Sequence, residues 1–264
     1  MATVTAQHRL DRAKTVAWRL GIAVVVVAIF VGLYQVNRAH PIRPQSPIPL
    51  AHVIGPGIGI NVSAGGNAAG ITCTTGFLVR TRDNQPGLLA AGHCNPGGGP
   101  GQVVIRHGGA FAYRTIGTFT ETVNDGSDWD DYDMGLILLD DPGKIPLTSV
   151  VDGHPVTGVA EDVAVGDVLC HFGIRTGGPL CGPVVASEAN KVRFEAGGIC
   201  GDSGGPVYRL REDGTTEAVG IYVAVSDGTY SEPSCEDPHP FSIAQTITPW
   251  LSAWELTLDT TTGL

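Results

Sequence analysis

The chain is written in short apolar runs, each cut off by glycine, proline or aspartate before it can extend. Thr75–Val79, Leu88–Ala91, Val103–Ile105, Tyr113–Phe119 and Met134–Leu139 form one set of runs. Val168–Phe172, Val184–Ala186, Val207–Leu210, Ala218–Val225 and Phe241–Ala244 form a second. Runs of this length bury their apolar faces only by pairing side by side, and their regular recurrence predicts an all-β protein with many tight turns. Glycine supplies 37 of the 264 residues and charged residues only 16%, which fits many turns around a substantial core. We read the two sets as two antiparallel β-barrels, residues 70–150 and 151–264. Near the end, Thr248-Pro249 has the order of a helix N-cap followed by proline at the first helical position. Trp250, Leu251 and Trp254 give the short helix that follows an apolar face, expected to close the second barrel.

The first residues are of another kind. Residues 1–19 are short and basic, with Arg9, Arg12, Lys14 and Arg19, and Leu20 to Val36 carries no charge. Seventeen residues at about 1.5 Å each reach ~26 Å, enough for a thin bilayer. The basic flank keeps the amino terminus cytoplasmic. We therefore expect residues 20–36 to be a single-pass transmembrane anchor, with a cleaved signal segment and secretion as the alternative. Residues 37–69 form a linker: Pro41, Pro44, Pro47 and Pro49 read as a semi-rigid spacer, followed by the glycine-rich stretch Gly55 to Gly70.

Beyond residue 40 there are eleven basic side chains against twenty-five acidic, a balance of −14. An ectodomain of that sign is not built for nucleic acid. Asn124 to Asp133 holds five aspartates, but it lacks the spacing and glycine of a calcium-binding loop and reads as a solvated acidic loop. Six cysteines make an even set, compatible with three disulfides and an oxidising compartment. With no Cys-x-x-Cys spacing, no structural zinc is expected, and no cofactor is.

The chemistry concentrates in Gly201-Asp202-Ser203-Gly204-Gly205-Pro206. A serine among glycines has no neighbouring side chains to pack with, whereas a glycine loop brings main-chain N–H groups close to a ligand. That is how an oxyanion is held during acyl transfer. A serine needs a base and a group to orient it. His93, where the run Leu88–Ala91 gives way to a loop, offers the base, and Asp133, opening the run Met134–Leu139, offers the orienter. Asp130 and Asp131 are rival acids that do not directly precede the apolar run. An α/β-hydrolase would place its acid and histidine after the serine, which this chain does not.

These three motifs, with Cys170…Thr176-Gly177…Cys181-Gly182, resemble those of the chymotrypsin-fold serine endopeptidases. The likeness is to the bacterial branch that includes the streptogrisins and α-lytic protease, over residues 70 to 255. The resemblance implies that His93 is the general base, Asp133 its orienter and Ser203 the nucleophile, with the N–H groups of Gly201 and Ser203 forming the oxyanion hole. It implies disulfides Cys73–Cys94, Cys170–Cys181 and Cys200–Cys235. It implies that position 197, where Gly197 replaces the aspartate that favours basic residues, belongs to the substrate-binding site, and that the strand with Tyr222, Val223 and Val225 pairs with a peptide or protein substrate. Two departures stand out. The branch usually carries a cysteine six residues before the serine, where this chain has Gly197, and Cys200 lies three before. Asp202, which the branch pairs with an arginine following a cysteine, here has His171 after Cys170 and Arg175 further on, and one of these is expected to pair with it. The reading is a membrane-anchored extracytoplasmic serine endopeptidase. The alternative is a catalytically silent relative serving as a tethered binding module.

Overall fold

The computed structural model describes residues 48–63, 70–109, 112–126, 128–140, 145–188, 190–226 and 239–261. The expected membrane segment 20–36, residues 37–47 and 64–69 of the expected linker, and Cys235 lie outside these residues. Among the described residues no helix is long and apolar enough to cross a membrane.

The first half of the chain builds one sheet. Its strands are β1 (Gly59–Ser63), β2 (Ile71–Thr74), β3 (Leu78–Arg80), β4 (Pro86–Ala90), β5 (Gln102–Arg106), β6 (Tyr113–Asn124) and β7 (Asp133–Leu139). The second half adds β8 (Val150–Val151), β9 (His154–Val159), β10 (Val168–Gly173), β11 (Gly178–Glu188), β12 (Lys191–Phe194), β13 (Pro206–Leu210), β14 (Thr216–Ser226) and β15 (Phe241–Thr246). A short helix α1 (Thr248–Ala253) and strand β16 (Thr257–Leu258) follow.

Strands β13-β10-β11-β12-β15-β14 run in that order, and β13 pairs again with β14, so six strands close into a barrel. The parallel pairing of β9 with β14 is an exception to the antiparallel expectation. The first sheet runs β16-β3-β4-β7-β6-β5-β1-β2. It differs from the expected barrel in that no ladder joins β2 to β3. The chain between them spends its polar groups singly instead: Thr75 N–H bonds the Ile58 carbonyl at 2.9 Å and Gly76 N–H the Leu89 carbonyl at 2.7 Å.

β7 is central in the first sheet, covered on both faces, and is accordingly apolar after its first residue and almost wholly buried. Its Ile137 packs with Ile60, Phe77, Leu88, Leu89, Ile105, Ile116 and Phe119 in one core. Leu169, Val184, Val192, Phe194, Val207 and Tyr222 form the other. Each such side chain withdrawn from water contributes about 1.5–3 kcal/mol. The carboxyl end returns to the first sheet, where β16 pairs with β3 and Arg80 Nε meets Asp259 Oδ2 at 2.7 Å.

The helix departs from expectation in two respects. Ile247 occupies the N-cap without a side-chain bond, so Thr248 is already helical. Trp250, Leu251 and Trp254 stay partly exposed and pack against the first core rather than closing the second barrel.

Candidate active site

Two neighbouring residues of β2 tie the chemistry together. Cys73 is disulfide-bonded to Cys94, which ends the single helical turn Gly92–Cys94 after β4 and so fixes His93 between them. Thr74 holds the serine loop: its N–H donates to the Ser203 carbonyl at 2.8 Å, and its hydroxyl donates to the Gly201 carbonyl at 2.8 Å. Two segments 109 residues apart are thereby fastened to one strand end.

His93 and Asp133 meet directly. The His93 N–H donates to Asp133 Oδ1 at 2.9 Å, and His93 Nδ1 lies 2.5 Å from Asp133 Oδ2. Both carboxylate oxygens are thus committed to one residue. A carboxylate only accepts, so Nδ1 carries the proton and Nε2 is left free to take another. Asp133 is buried while the imidazole is half-exposed. Asp130 and Asp131 make no such bond.

Ser203 is nearly buried in the turn before β13. Gly204 has φ +83°, and a side chain there would press on the Ala91 nitrogen and the Thr74 carbonyl. Only glycine allows the serine turn to lie against the loop that carries His93. Among the described residues, neither the Gly201 nor the Ser203 N–H donates to a protein acceptor. Cys73, His93 and Cys94 are close enough to suggest a metal site, but both sulfurs are consumed in the disulfide and offer no thiolate.

Asp202 lies wholly buried beneath this turn. The expected ion pair with His171 or the Arg175 side chain does not form. Oδ1 instead accepts the main-chain N–H groups of Arg175 at 2.8 Å and Thr176 at 3.2 Å. Gly173 makes this possible, because the carboxylate occupies the space its side chain would need. His171 turns its Nε2 to the Gly197 carbonyl at 2.5 Å and stacks on Tyr222 with ring centroids 4.9 Å apart. Burial pushes its pKa below the ordinary imidazole range, against the opposing pull of the Gly197 bond and the Asp202 charge.

Gly197 is thus held from below by His171. The end of the Tyr222 ring lies against Gly198, in the space a side chain there would fill. Tyr222 is tied to the serine turn by two bonds: its carbonyl accepts the Gly204 N–H at 2.7 Å, and its N–H donates to the Gly205 carbonyl at 2.8 Å. Beyond Ile221 the β13–β14 ladder stops while the strand runs on against β15, so that among the described residues Val223–Val225 has no second strand beside it. The stretch with Val223 and Val225 therefore presents one open strand edge beside Ser203. Cys170 is bonded to Cys181. Cys200 is also disulfide-bonded, and Cys235, its expected partner, lies outside the described residues.

Sequence reading missed Thr74, Gly173 and the Arg175–Thr176 peptides, which act through backbone atoms or proximity. It also missed Lys191, whose burial no periodicity reveals.

This geometry sits on a fold shared with bacterial chymotrypsin-fold serine proteases. The Nocardiopsis protease NAPase aligns with a TM-score of 0.57 at 24% identity, over 78% of this chain and 99% of that one. Thermobifida fusca Protease A aligns with a TM-score of 0.56 at 25% identity, over 79% and 100%. An α-lytic protease homolog, N4, aligns with a TM-score of 0.56 at 22% identity, over 80% and 100%. No protein-family model matches the chain. Two proteins of Mycobacterium tuberculosis described as uncharacterized, MT1863 and Rv1815, are 31% and 30% identical to it over 172 residues, which is 59% of this chain and 69% of theirs. The chain belongs to the family of these mycobacterial proteins.

Proposed function

We propose that the chain is a serine endopeptidase, held by residues 20–36 at the extracytoplasmic face of a membrane, that hydrolyses peptide bonds through an acyl-enzyme. The observation that carries this reading is the pair of hydrogen bonds from His93 to Asp133 beside a serine turn fastened to the same strand end.

In this mechanism Ser203 Oγ attacks the peptide carbonyl carbon while His93 Nε2 takes the hydroxyl proton. The carbonyl oxygen becomes an oxyanion and accepts the N–H groups of Gly201 and Ser203. Collapse of the tetrahedral intermediate expels the amine, which receives the proton from the imidazolium. Water then attacks the acyl-enzyme with His93 again as base, and collapse of the second tetrahedral intermediate releases the carboxylic acid while the imidazolium returns its proton to Ser203 Oγ. Asp133 keeps Nδ1 protonated and stabilises the cation. The substrate backbone pairs with the open edge at Val223–Val225, and the Tyr222 ring under Gly198 leaves room for a small apolar side chain before the scissile bond.

The test is hydrolysis of a fluorogenic peptide library by the wild-type protein and by folded Ser203→Ala and His93→Ala variants. Turnover by the wild type alone, strongest with alanine or glycine before the cut, is expected. A Ser203→Ala variant as active as wild type contradicts the mechanism, and strict Arg or Lys preference contradicts the specificity. No turnover by a folded wild type points instead to a tethered binding module.

A further inference from the structure

Lysine is almost never fully buried without a partner, yet Lys191, at the start of β12, is only 7% exposed. Its Nζ reaches out of the second barrel to the carbonyl of Asp128, 2.9 Å away. That carbonyl belongs to the acidic loop of the first half, which leads directly into Asp133. Within the loop, Asp131 N–H bonds the Asp128 carbonyl at 3.1 Å, Asp125 N–H the Tyr132 carbonyl at 3.0 Å and Asp128 N–H Asp131 Oδ2 at 3.0 Å. The same hairpin adds a second clamp, Asn190 Nδ2 to the Tyr132 hydroxyl at 3.2 Å.

The charges facing Lys191 are known from each side. From the first half come Asp133, whose effect is largest, then Asp131, Asp130 and Asp128. Across the β11–β12 ladder stands Glu188, exposed to solvent, and across the β12–β15 ladder the neutral Gln245. Burial pushes the ammonium below the ordinary lysine range, and the four aspartates oppose that loss.

We propose that Lys191 is a positioning residue for the His93–Asp133 pair, its ammonium anchoring the acidic loop and offsetting the negative charge that the loop would otherwise impose on the pair. Without it, Asp128, Asp130 and Asp131 crowd Asp133 with like charge. Their field would hold a proton on His93 at pH values where the reaction needs the free base. The cation comes from the other barrel, so docking of the two halves sets the electrostatics of the site. For scale, a unit charge about 10 Å from any titrating group, through an effective dielectric of about 40, moves that titration by about half a pH unit.

This inference rests on the reading of His93 as the base, but its test does not need turnover. The intact chain, labelled with ¹⁵N-histidine and solubilised in detergent, is titrated by NMR, with His93→Gln identifying the resonance. In Lys191→Met the His93 midpoint is expected to rise by about half a unit or more, and in Lys191→Arg to stay with the wild type. Should the methionine variant not fold, Lys191→Gln, which can still donate to the Asp128 carbonyl without a charge, is expected to show the same rise. An unmoved midpoint in the neutral variant, or equal movement in the neutral and arginine variants, overturns the proposal. A rise in a protein whose Ser203 proves inert would refute the proposed activity and leave the role of Lys191 standing.

Discussion

Gly173 is a residue whose change the structure penalises directly. A methyl group there would lie 2.5 Å from Asp202 Cβ and closer still to its carboxyl carbon and Oδ1. Neither side can yield cheaply. Gly173 is held in the β10–β11 ladder, and Asp202 donates its N–H to Ile199 while its carbonyl accepts from Gly205. Gly173→Ala must therefore evict the carboxylate from the Arg175 and Thr176 N–H groups. Hydrogen bonds to a charged group contribute about 1.5–3 kcal/mol each, and stranding a buried charge costs about 3–5 kcal/mol. These are two measures of one loss, so a destabilisation of about 3–5 kcal/mol follows. In urea, with a slope near 2 kcal/mol per molar, the midpoint should fall by about 1.5–2.5 M. Because Gly201 and Ser203 flank Asp202, any variant that folds should also lose at least ~10² in its rate of reaction with a fluorophosphonate. Gly158→Ala is the control, since a methyl group there meets nothing within 4 Å. If the two variants had the same midpoint and labelling rate, the reasoning about Asp202 would be wrong.

Replacing Asp133 by asparagine keeps the shape but not the acceptor pair for His93, and should lower kcat by ~10⁴ with little change in folding. His171 is destabilised as a cation relative to its unfolded value of 6.5. The unfolded chain therefore binds the proton more readily, so the stability His171 contributes is present above pH 6.5 and is lost as pH falls through the lowered folded value. His171→Phe should lose less stability than wild type between pH 7 and pH 5 in urea titrations. The Cys73–Cys94 bridge closes a loop with a sequence separation of 21, so the paired Cys73→Ala and Cys94→Ala change should cost about 3 kcal/mol. Activity should fall beyond what stability explains, because the turn carrying His93 is released. Tyr222→Ala should shift peptide-library preference toward larger residues before the cut, and an unchanged preference would remove Tyr222 from the specificity pocket.

Much of this architecture was legible where a single residue type speaks for itself. The run Met134–Leu139 is a central strand, and its continuous apolar character says so. The glycines around Ser203 mark a turn pressed against other backbone, as Gly204 shows against Ala91. What escaped depends on distant partners. β1, within the stretch read as a linker, is a strand because β2 and β5 flank it, and β12 is too short to announce itself. Asp202 was expected to seek a side-chain cation. It finds main-chain N–H groups instead, a choice fixed by the absence of a side chain at Gly173 in the earlier strand β10. Lys191 reads as a surface residue until the two halves come together over the loop leading to Asp133.

The central claim is that Ser203 is an activated nucleophile. The direct measurement is to treat the protein with diisopropyl fluorophosphate and locate the adduct by peptide mass spectrometry, beside Ser203→Ala and His93→Ala. The account predicts one stoichiometric adduct on Ser203, absent from the alanine variant and far slower to form without His93. A folded, disulfide-bonded protein that takes no adduct, or takes it at another residue, would contradict it.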